Sequence, residues 1–332
     1  MQIPENKYQV VIIGGGPIGI ACALEAKKKG ISYIILEKGC LVNSLYHYPT
    51  NMTFFSTSEK LELDNIPFIS NNPKPTKREA LEYYRRIATS NKINIHLFEK
   101  VTSVKTKADH THIVQTTKGE YITENVVVAT GFYDIPNNLG IPGEKLPKVS
   151  HYYNDPHYYS TQKTVVVGAS NSAVDAALEI YRKGGDVTMI VRNPEIGERV
   201  KYWVRPDIIN RIKEGSIKAY FNASLKEIRE NEVVLQTAED EEILENDFVL
   251  LMTGYRPNFG FLQDIGIKLS NDGRKIPEYN EDTMETNIAG IFLAGVICGG
   301  VETHKWFIEN SRVHAKMIMQ QLDKRQKTIV NN

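Results

Sequence analysis

The sequence has few cysteines, no excess charge of either sign and no long hydrophobic run. Three cysteines are typical of a protein kept in a reducing compartment, so we expect a cytoplasmic protein. Lys and Arg total 40, as do Asp and Glu, which leaves no net charge to attract nucleic acid or an anionic membrane. The first apolar run is predicted to be a strand rather than a signal peptide, and no run is long enough to span a bilayer. The eight histidines have no metal-ligand spacing, so we expect no metal.

A glycine fingerprint lies near the N-terminus. Val10–Ile13 is typical of a buried parallel strand, and it leads into Gly14-x-Gly16-x-x-Gly19 and a helical stretch. The first glycine allows the sharp bend, the second lets the backbone approach a pyrophosphate, and the third lets helix and strand pack closely. Glu37 ends a second strand about 20 residues further on, where a carboxylate accepts hydrogen bonds from ribose hydroxyls. The pattern predicts a dinucleotide site.

A second, weaker fingerprint follows an apolar strand at Thr164–Val167. Its turn comprises Gly168, Ala169, Ser170, Asn171, Ser172 and Ala173. The residue after the next strand is Arg192 rather than an acid, and a guanidinium binds the 2′-phosphate that a carboxylate would repel. We therefore predict NADPH here, with Arg199 and Lys201 on the same loop either adding positive charge or lying on the solvated surface.

A small β-meander that leads back into the parallel sheet is predicted after each fingerprint. Residues 93–131 end in Ala129-Thr130-Gly131, and residues 216–254 end in Thr253-Gly254. The repetition indicates a duplicated dinucleotide-binding unit. Two dinucleotides in one chain favour hydride transfer between them, and therefore a flavoprotein reductase. We predict an α/β fold with two Rossmann-like domains.

The second unit is predicted to be inserted in the first. Residues 132–144 form a linker containing proline and glycine, and Pro257–Gly260 is a second hinge. The C-terminal part has no fingerprint and is best placed on the first domain. The predicted domains are an FAD-binding domain at 1–144 and 262–332 and an NADPH-binding domain at 145–261. We expect a homo-oligomer, a dimer or a tetramer, with no nucleic acid or membrane partner.

The whole chain resembles the thioredoxin-reductase-like flavoproteins, and among them the bacillithiol disulfide reductase (YpdA-type) branch. Besides the motifs above, the resemblance rests on Tyr48–Thr50, Thr53–Ser56, Ala173–Glu179, Lys201–Trp203, Gly290–Gly295, Ala294–Ile297 and Phe307–Asn310. It implies NADPH-dependent, FAD-mediated reduction of a low-molecular-weight thiol disulfide. The partner is then a small-molecule disulfide or a small redox partner.

Two sets of cofactor contacts follow. The predicted FAD contacts are Gly14, Gly16, Pro17, Ile18, Gly19, Glu37, Lys38, Tyr46, Tyr48, Thr53, Phe54, Val101, Ala129, Thr130, Gly131, Gly295, Val296 and Lys305. The aromatic residues among them are equally explained by core packing. The predicted NADPH contacts are Gly168, Ala169, Ser170, Asn171, Ser172, Ala173, Arg192, Arg199, Lys201, Thr253 and Gly254.

Three departures limit what the resemblance implies. Thioredoxin reductases carry a Cys-x-x-Cys ahead of the NADPH fingerprint, where this chain has His151–Asp155, so it cannot reduce thioredoxin by that route. Many bacillithiol-reductase-like members have a cysteine in the first glycine turn, where this chain has Ile18. The wider superfamily has a flavin-binding Asp where this chain, like its branch, has Val296.

The catalytic candidates are Cys298, His304 and Lys305. Cys298 is expected near the flavin, and it would need a depressed pKa and solvent access to react. Cys22 is expected to pack inside the first helix, and Cys40 to lie at the adenosine end of FAD. His304 and Lys305 precede the last helix, where they could supply a proton, hold an anionic substrate, or be a solvated helix start.

Other activities stay open. A thioredoxin-reductase-like ferredoxin or flavodoxin–NADP⁺ reductase also lacks the cysteine pair, but it usually ends in an aromatic extension, and residues 324–332 contain no aromatic. A flavin-containing monooxygenase uses the same two fingerprints, but its Phe-x-Gly-x-x-x-His stretch is missing between them. A redox sensor without turnover is the remaining alternative.

Overall fold

A computed structural model describes residues 6–331, apart from the side chains of residues 329–331. The helices are α1 (Pro17–Lys28), α2 (Asn43–Tyr46), α3 (Ser58–Leu61), α4 (Lys77–Ser90), α5 (Asn171–Arg182), α6 (Arg205–Lys213), α7 (Phe259–Asp264), α8 (Ile308–Ser311) and α9 (Val313–Asn331). The strands are β1 (Lys7–Ile13), β2 (Tyr33–Leu36), β3 (Ile95–His96), β4 (Val101–Thr106), β5 (His112–Thr116), β6 (Glu120–Val128), β7 (Ile135–Pro136), β8 (Val149–Ser150), β9 (Lys163–Val167), β10 (Asp186–Val191), β11 (Lys218–Phe221), β12 (Ser224–Ile228), β13 (Glu232–Gln236), β14 (Glu241–Glu245), β15 (Phe248–Leu251), β16 (Tyr255–Arg256) and β17 (Ile291–Leu293).

The chain forms two compact units. The first comprises the chain up to His47, Met52–Ile135 and the chain from Arg256 onward. The second comprises Tyr48–Asn51 and Pro136–Tyr255. Each unit contains a parallel sheet in which a glycine turn and a helix directly follow one of the central strands, β1 in the first unit and β9 in the second, which confirms the predicted α/β fold class.

The sheet of the first unit has a parallel and an antiparallel part. β3, β2, β1 and β6 are parallel in that order, and β17 pairs with the second half of β6. The first half of β6 pairs with β5, and β5 with β4, as the predicted antiparallel meander. The parallel strands are fully buried at Val10–Ile12, Ile34–Ile35 and Val126–Val128 because both faces of this part of the sheet are covered.

The second unit repeats this design with two separate sheets. β11, β10, β9, β15 and β8 form the parallel sheet, while β12, β13 and β14 form an antiparallel meander of their own. Alternate residues of β9 enter two apolar clusters: Val166 packs with the cluster that contains α5, and Val165 and Val167 pack with the meander. The parallel sheet is therefore buried between helix and meander.

The units divide at 135/136 and 255/256, earlier than the predicted 144/145 and 261/262. Residues 136–144 lie with the second unit because they are bonded to its meander. The N–H of Ile228 donates to the Pro142 carbonyl at 2.9 Å, and a Cβ on Gly143 would come within 1.7 Å of the Ile228 carbonyl oxygen. At the other boundary, α7 is part of the first unit, where its Phe259 and Leu262 are buried.

Candidate dinucleotide-binding sites

The first glycine turn is tightly packed on two sides and open on a third. A Cβ on Gly14 would lie 2.5 Å from the Ala129 carbonyl oxygen, and a Cβ on Gly19 would lie 1.9 Å from the Gly14 carbonyl oxygen. Both positions need glycine so that turn, helix and β6 can approach this closely. A Cβ on Gly16, in contrast, would meet nothing within 4 Å. The space in front of Gly16 is therefore free for a ligand.

Helix α1 begins at this open side. Gly16 is its N-cap residue, Pro17 is its first residue, and no side chain caps its first turn. The unbonded N–H groups and the positive end of the helix dipole are therefore available to an anion such as phosphate. Ile18, the next residue, is buried beside Gly295, on which a Cβ would lie 3.3 Å from the Ile18 side chain.

Glu37 lies at the end of β2, beside the turn. Its buried carboxylate accepts the N–H of Gly15 at 2.7 Å and the N–H of Gly39 at 2.9 Å, one on each oxygen. Burial raises the pKa of Glu37, while these two bonds act to lower it. Each oxygen has a further lone pair that can accept from a ribose hydroxyl. Lys38, the next residue, forms an ion pair with Asp134 at 2.5 Å.

The carboxyl end of β6 carries the first Thr-Gly. The N–H of Ala129 donates to the Ile13 carbonyl at 2.8 Å, and Gly131 has a φ of 71°. The hydroxyl oxygen of Thr130 is buried and has no hydrogen-bond partner among the described residues. A buried polar atom without a partner costs about 1–3 kcal/mol, which a ligand bonding to it would offset. Val101, at the start of β4, is buried.

The predicted FAD contacts between residues 46 and 54 are divided between the two units. Phe54 is buried in the first unit, and its N–H donates to the Pro75 carbonyl at 2.9 Å. Thr53 forms an isolated bridge with Thr76. Tyr46 is exposed, with the ammonium of Lys77 5.7 Å from its ring centroid. Core packing therefore accounts for Phe54, whereas Tyr46 is accessible.

Tyr48, in contrast, lies in the second unit. The segment Tyr48–Asn51 belongs there because the N–H of Thr50 donates to the Asn154 carbonyl at 2.8 Å and the Asn51 amide donates to Glu179 at 3.2 Å. The prediction that Tyr48 contacts FAD thus concerns a residue held outside the unit that carries the FAD fingerprint.

The turn after β17 is bonded to a buried histidine. Gly295 has a φ of 90°, and its N–H donates to Nδ1 of His314 at 3.2 Å. Val296 begins a short 3₁₀ turn that ends at Gly299. Burial lowers the pKa of His314 to about 4. The ring is therefore neutral near pH 7, and since Nδ1 accepts a bond, the ring proton is on Nε2.

None of the three cysteines has the lowered pKa that a reactive thiol needs. Cys298 is fully buried with its Sγ 3.9 Å from Nδ1 of His314, and burial raises its pKa far above the usual range. Burial raises the pKa of Cys22 to about 12 and also raises that of Cys40. The thiols are protonated and two of them are out of contact with solvent.

His304 and Lys305 lie on the surface ahead of α8. Both side chains are exposed, and the Lys305 ammonium lies 5.6 Å from the ring centroid of Trp306. Their exposure leaves both available to substrate, and their roles in catalysis stay a prediction.

The second glycine turn follows the first, with Ser170 and Ala173 in place of the second and third glycines. Gly168 has a φ of 125°, and a Cβ on it would lie 2.6 Å from the Met252 carbonyl oxygen and 3.3 Å from the Cβ of Ala173. Ala173 is fully buried and takes the position of the third glycine, so the second turn accommodates a Cβ where the first turn has no room for one. Ala169 packs against the same apolar cluster.

Helix α5 begins here without a side-chain cap. Its N-cap residue Ser170 makes no capping hydrogen bond, and Ser170 and Ser172 are exposed. This helix end therefore also offers free N–H groups to a phosphate. Beyond it, the second Thr-Gly is fixed by Asn137: the Thr253 hydroxyl donates to the Asn137 carbonyl at 2.6 Å, and the Asn137 N–H donates to the Gly254 carbonyl at 2.9 Å.

The loop after β10 presents two free arginines. Arg192 and Arg199 are exposed, and neither guanidinium has an ion-pair or hydrogen-bond partner among the described residues. Lys201 was expected either to add positive charge for the ligand or to lie on the solvated surface, and both expectations were wrong. Its side chain is buried, and its ammonium pairs with Asp175 at 2.6 Å. The positive charge available to a ligand on this loop is therefore that of the two arginines.

Within residues 6–331, no group of three or more His, Cys, Asp or Glu side chains is arranged to hold a metal ion. None of the helices described is both long and apolar enough to cross a membrane.

Two contacts in these sites cannot be predicted from a local sequence motif. His314 is 19 residues from Gly295, and Asp175 is 26 residues from Lys201. Neither separation corresponds to a local motif, so only the folded chain brings these partners together. A polar residue on an otherwise apolar helix face was the one available hint for His314.

Comparison with known proteins places the geometry in a known group. Residues 11–295 match the family described as pyridine nucleotide-disulphide oxidoreductase. The chain is 43% identical over 319 residues to a Bacillus subtilis protein named bacilliredoxin reductase Bdr, covering 96% of this chain and 98% of the relative.

Solved structures agree over the same extent. A structure of bacillithiol disulfide reductase Bdr (YpdA) from Bacillus cereus has 42% sequence identity and a TM-score of 0.93. A second, from Staphylococcus aureus, has 38% identity and the same TM-score. Each comparison covers 96% of this chain and 99% of the other. The similarity therefore includes both units.

Proposed function

Because this chain belongs to the pyridine nucleotide-disulphide oxidoreductase family, we propose that it is an FAD-dependent NADPH oxidoreductase that reduces the disulfide of a low-molecular-weight thiol. The main support for two bound dinucleotides is the pair of glycine turns. Each turn is tightly packed where helix meets strand, and each leads into a helix whose first turn has no side-chain cap. The overall reaction consumes one disulfide, one NADPH and one proton and produces two thiols and one NADP⁺.

The residues of the first turn fit FAD. The open space at Gly16 and the first N–H groups of α1 would hold the pyrophosphate, and the Glu37 carboxylate would accept from the adenosine ribose. The unpartnered hydroxyl of Thr130 offers a further contact from the end of β6. Bound FAD would supply the hydride transfer between NADPH and substrate.

The residues of the second turn fit NADPH. The uncapped end of α5 would hold the pyrophosphate, and Arg192 and Arg199 supply unpaired guanidinium groups for a 2′-phosphate. Glu37 occupies the corresponding position in the first unit, where its carboxylate would repel a 2′-phosphate. This difference supports FAD as the ligand of the first unit and NADPH as the ligand of the second.

No protein thiol is required between flavin and substrate in this account. Cys298 and Cys22 are fully buried and protonated, and Cys40 follows Glu37 at the adenosine end. His304 and Lys305 are the exposed candidates for supplying the proton or holding an anionic disulfide. Substrate reduction is therefore proposed to be direct.

A substrate screen tests the proposal. NADPH consumption by the FAD-loaded protein would be followed with bacillithiol disulfide, a bacilliredoxin mixed disulfide, thioredoxin and ferredoxin in parallel. We expect two thiols per NADPH with bacillithiol disulfide and no reduction of thioredoxin. Turnover with the mixed disulfide alone would show that the substrate is a small redox protein rather than a low-molecular-weight disulfide. Turnover with ferredoxin alone would show that the protein is not a disulfide reductase.

A further inference from the structure

The loop that carries Arg192 and Arg199 is fastened to the N-terminal half of α5 at two points. The side chain of Asn171, the first residue of α5, donates to the Arg199 carbonyl at 3.2 Å and accepts the N–H of Lys201 at 2.8 Å. One turn further along the helix, Asp175 forms its ion pair with Lys201 at 2.6 Å. The Asn171 amide thus fixes the backbone on both sides of residue 200, and the Asp175 carboxylate holds the Lys201 side chain.

The rest of the loop is anchored by apolar contacts. Ile196 and Val200 are buried in the cluster that packs around α5, while the arginine side chains remain exposed. A loop with a fixed backbone and free guanidinium groups loses little conformational entropy when an anion binds, because the ordering has already occurred during folding.

Asn171 also links two parts of one ligand site. It stands at the helix end proposed to hold the pyrophosphate, and its amide holds the carbonyl of the arginine proposed to meet the 2′-phosphate. The distance between these two proposed anion sites is consequently set by a side chain whose amide nitrogen and oxygen both bond to the protein.

We infer that Asn171 and Asp175 are positioning residues for pyridine nucleotide selectivity, which hold the 192–201 loop so that its arginines match a 2′-phosphate. The inference rests on the proposed function, since it takes NADPH as the ligand of the second turn. Removing the anchors leaves the arginines in place but lets the loop move, so the part of the affinity that depends on the 2′-phosphate falls.

Binding of NADP⁺ and of NAD⁺ to the purified protein, measured by calorimetry, tests the inference. We expect Asn171→Ala to weaken NADP⁺ binding about tenfold, or ~1.4 kcal/mol, and NAD⁺ binding less than twofold. Replacing the pair together, as Asp175→Leu with Lys201→Met, avoids leaving one charge buried alone and should give the same selective loss. Asn210→Ala, an exposed asparagine of α6, is the matched control.

Limited trypsin digestion without nucleotide gives an independent readout. We expect cleavage after Arg192 and Arg199 to be faster in Asn171→Ala than in wild type and Asn210→Ala, at unchanged thermal unfolding. An equal loss of NADP⁺ and NAD⁺ binding, or no loss of either, would overturn the inference. Wild-type protein that binds neither nucleotide would instead refute the proposed function, while the digestion result still reports on the anchors.

Discussion

The N–H of Gly295 donates to Nδ1 of His314 across 3.2 Å, which ties the turn after β17 to helix α9. The ring lies edge-on to Trp306 at 4.6 Å and is buried, so this bond depends on a neutral imidazole. Protonation of Nδ1 would turn this acceptor into an N–H donor facing the Gly295 N–H, and the hydrogen bond would be lost.

This burial predicts a loss of stability in acid. A histidine in the unfolded chain takes up a proton near pH 6.5, whereas His314 in the folded chain does so only near pH 4. Between these values the unfolded chain binds more protons, so the free energy of unfolding falls as pH falls, by up to about 1.4 kcal/mol per pH unit for this group. His112, fully buried with its pKa lowered by burial, adds an effect of the same sign.

Urea unfolding at pH 7 and pH 5 measures the effect. His314→Asn should flatten the pH dependence, while replacement of the exposed His304 by Gln should leave it as in wild type. Equal slopes in wild type and His314→Asn would show that His314 is not the group that titrates.

Alanine at two glycines should separate folding from FAD binding. Gly19→Ala would place a Cβ 1.9 Å from the Gly14 carbonyl oxygen, so we expect the free energy of unfolding to fall by about 1–3 kcal/mol or more. Gly16→Ala would meet no protein atom within 4 Å, so the apoprotein should keep its stability to within about 1 kcal/mol while FAD affinity falls. FAD fluorescence titration and apoprotein unfolding measure the two quantities, and full FAD affinity in Gly16→Ala would place the pyrophosphate elsewhere.

Arginine 192 should discriminate between the two pyridine nucleotides. We expect Arg192→Ala to lose about 1.5–3 kcal/mol of NADPH binding through the missing charge-assisted contact and to leave NADH binding nearly unchanged. Arg182→Ala removes a comparable exposed arginine of the same unit, one that is paired with Asp207, and serves as the control. Equal losses for NADPH and NADH would show that Arg192 points away from the 2′-phosphate.

The cysteines should be dispensable for electron transfer. Replacing Cys22, Cys40 and Cys298 by Ser or Ala should leave flavin reduction by NADPH intact and preserve most substrate turnover, because the buried thiols are protonated. Rapid-mixing absorbance and steady-state assays measure the two steps. Loss of substrate reduction in Cys298→Ser alone, with flavin reduction unchanged, would identify that thiol as a relay.

The sequence predicts most of the fold because local patterns determine it. The strand, turn and helix at Gly14–Gly19 and at Gly168–Ala173 form as expected, and the meanders return to Gly131 and Gly254. These elements depend on apolar runs and glycine positions that lie close together in the chain.

Long-range contacts account for what was not predicted. The linker at 136–144 belongs to the second unit because it packs on Ile228, and Lys201 is buried because Asp175 neutralises it. From the local sequence alone, residues 136–144 and Lys201 are expected to be exposed and polar. Their contact partners, Ile228 and Asp175, lie too far away in the chain for a local pattern to indicate them. The contacts of the predicted site residues with FAD and NADPH stay predictions.

The absorption spectrum of the purified protein before and after anaerobic addition of NADPH tests the central claim most directly. We expect a yellow protein with bound FAD whose visible absorption is bleached by NADPH and restored by the disulfide substrate. A colourless protein that reconstitutes with neither FAD nor FMN, or a bound flavin that NADPH leaves oxidised, would contradict it.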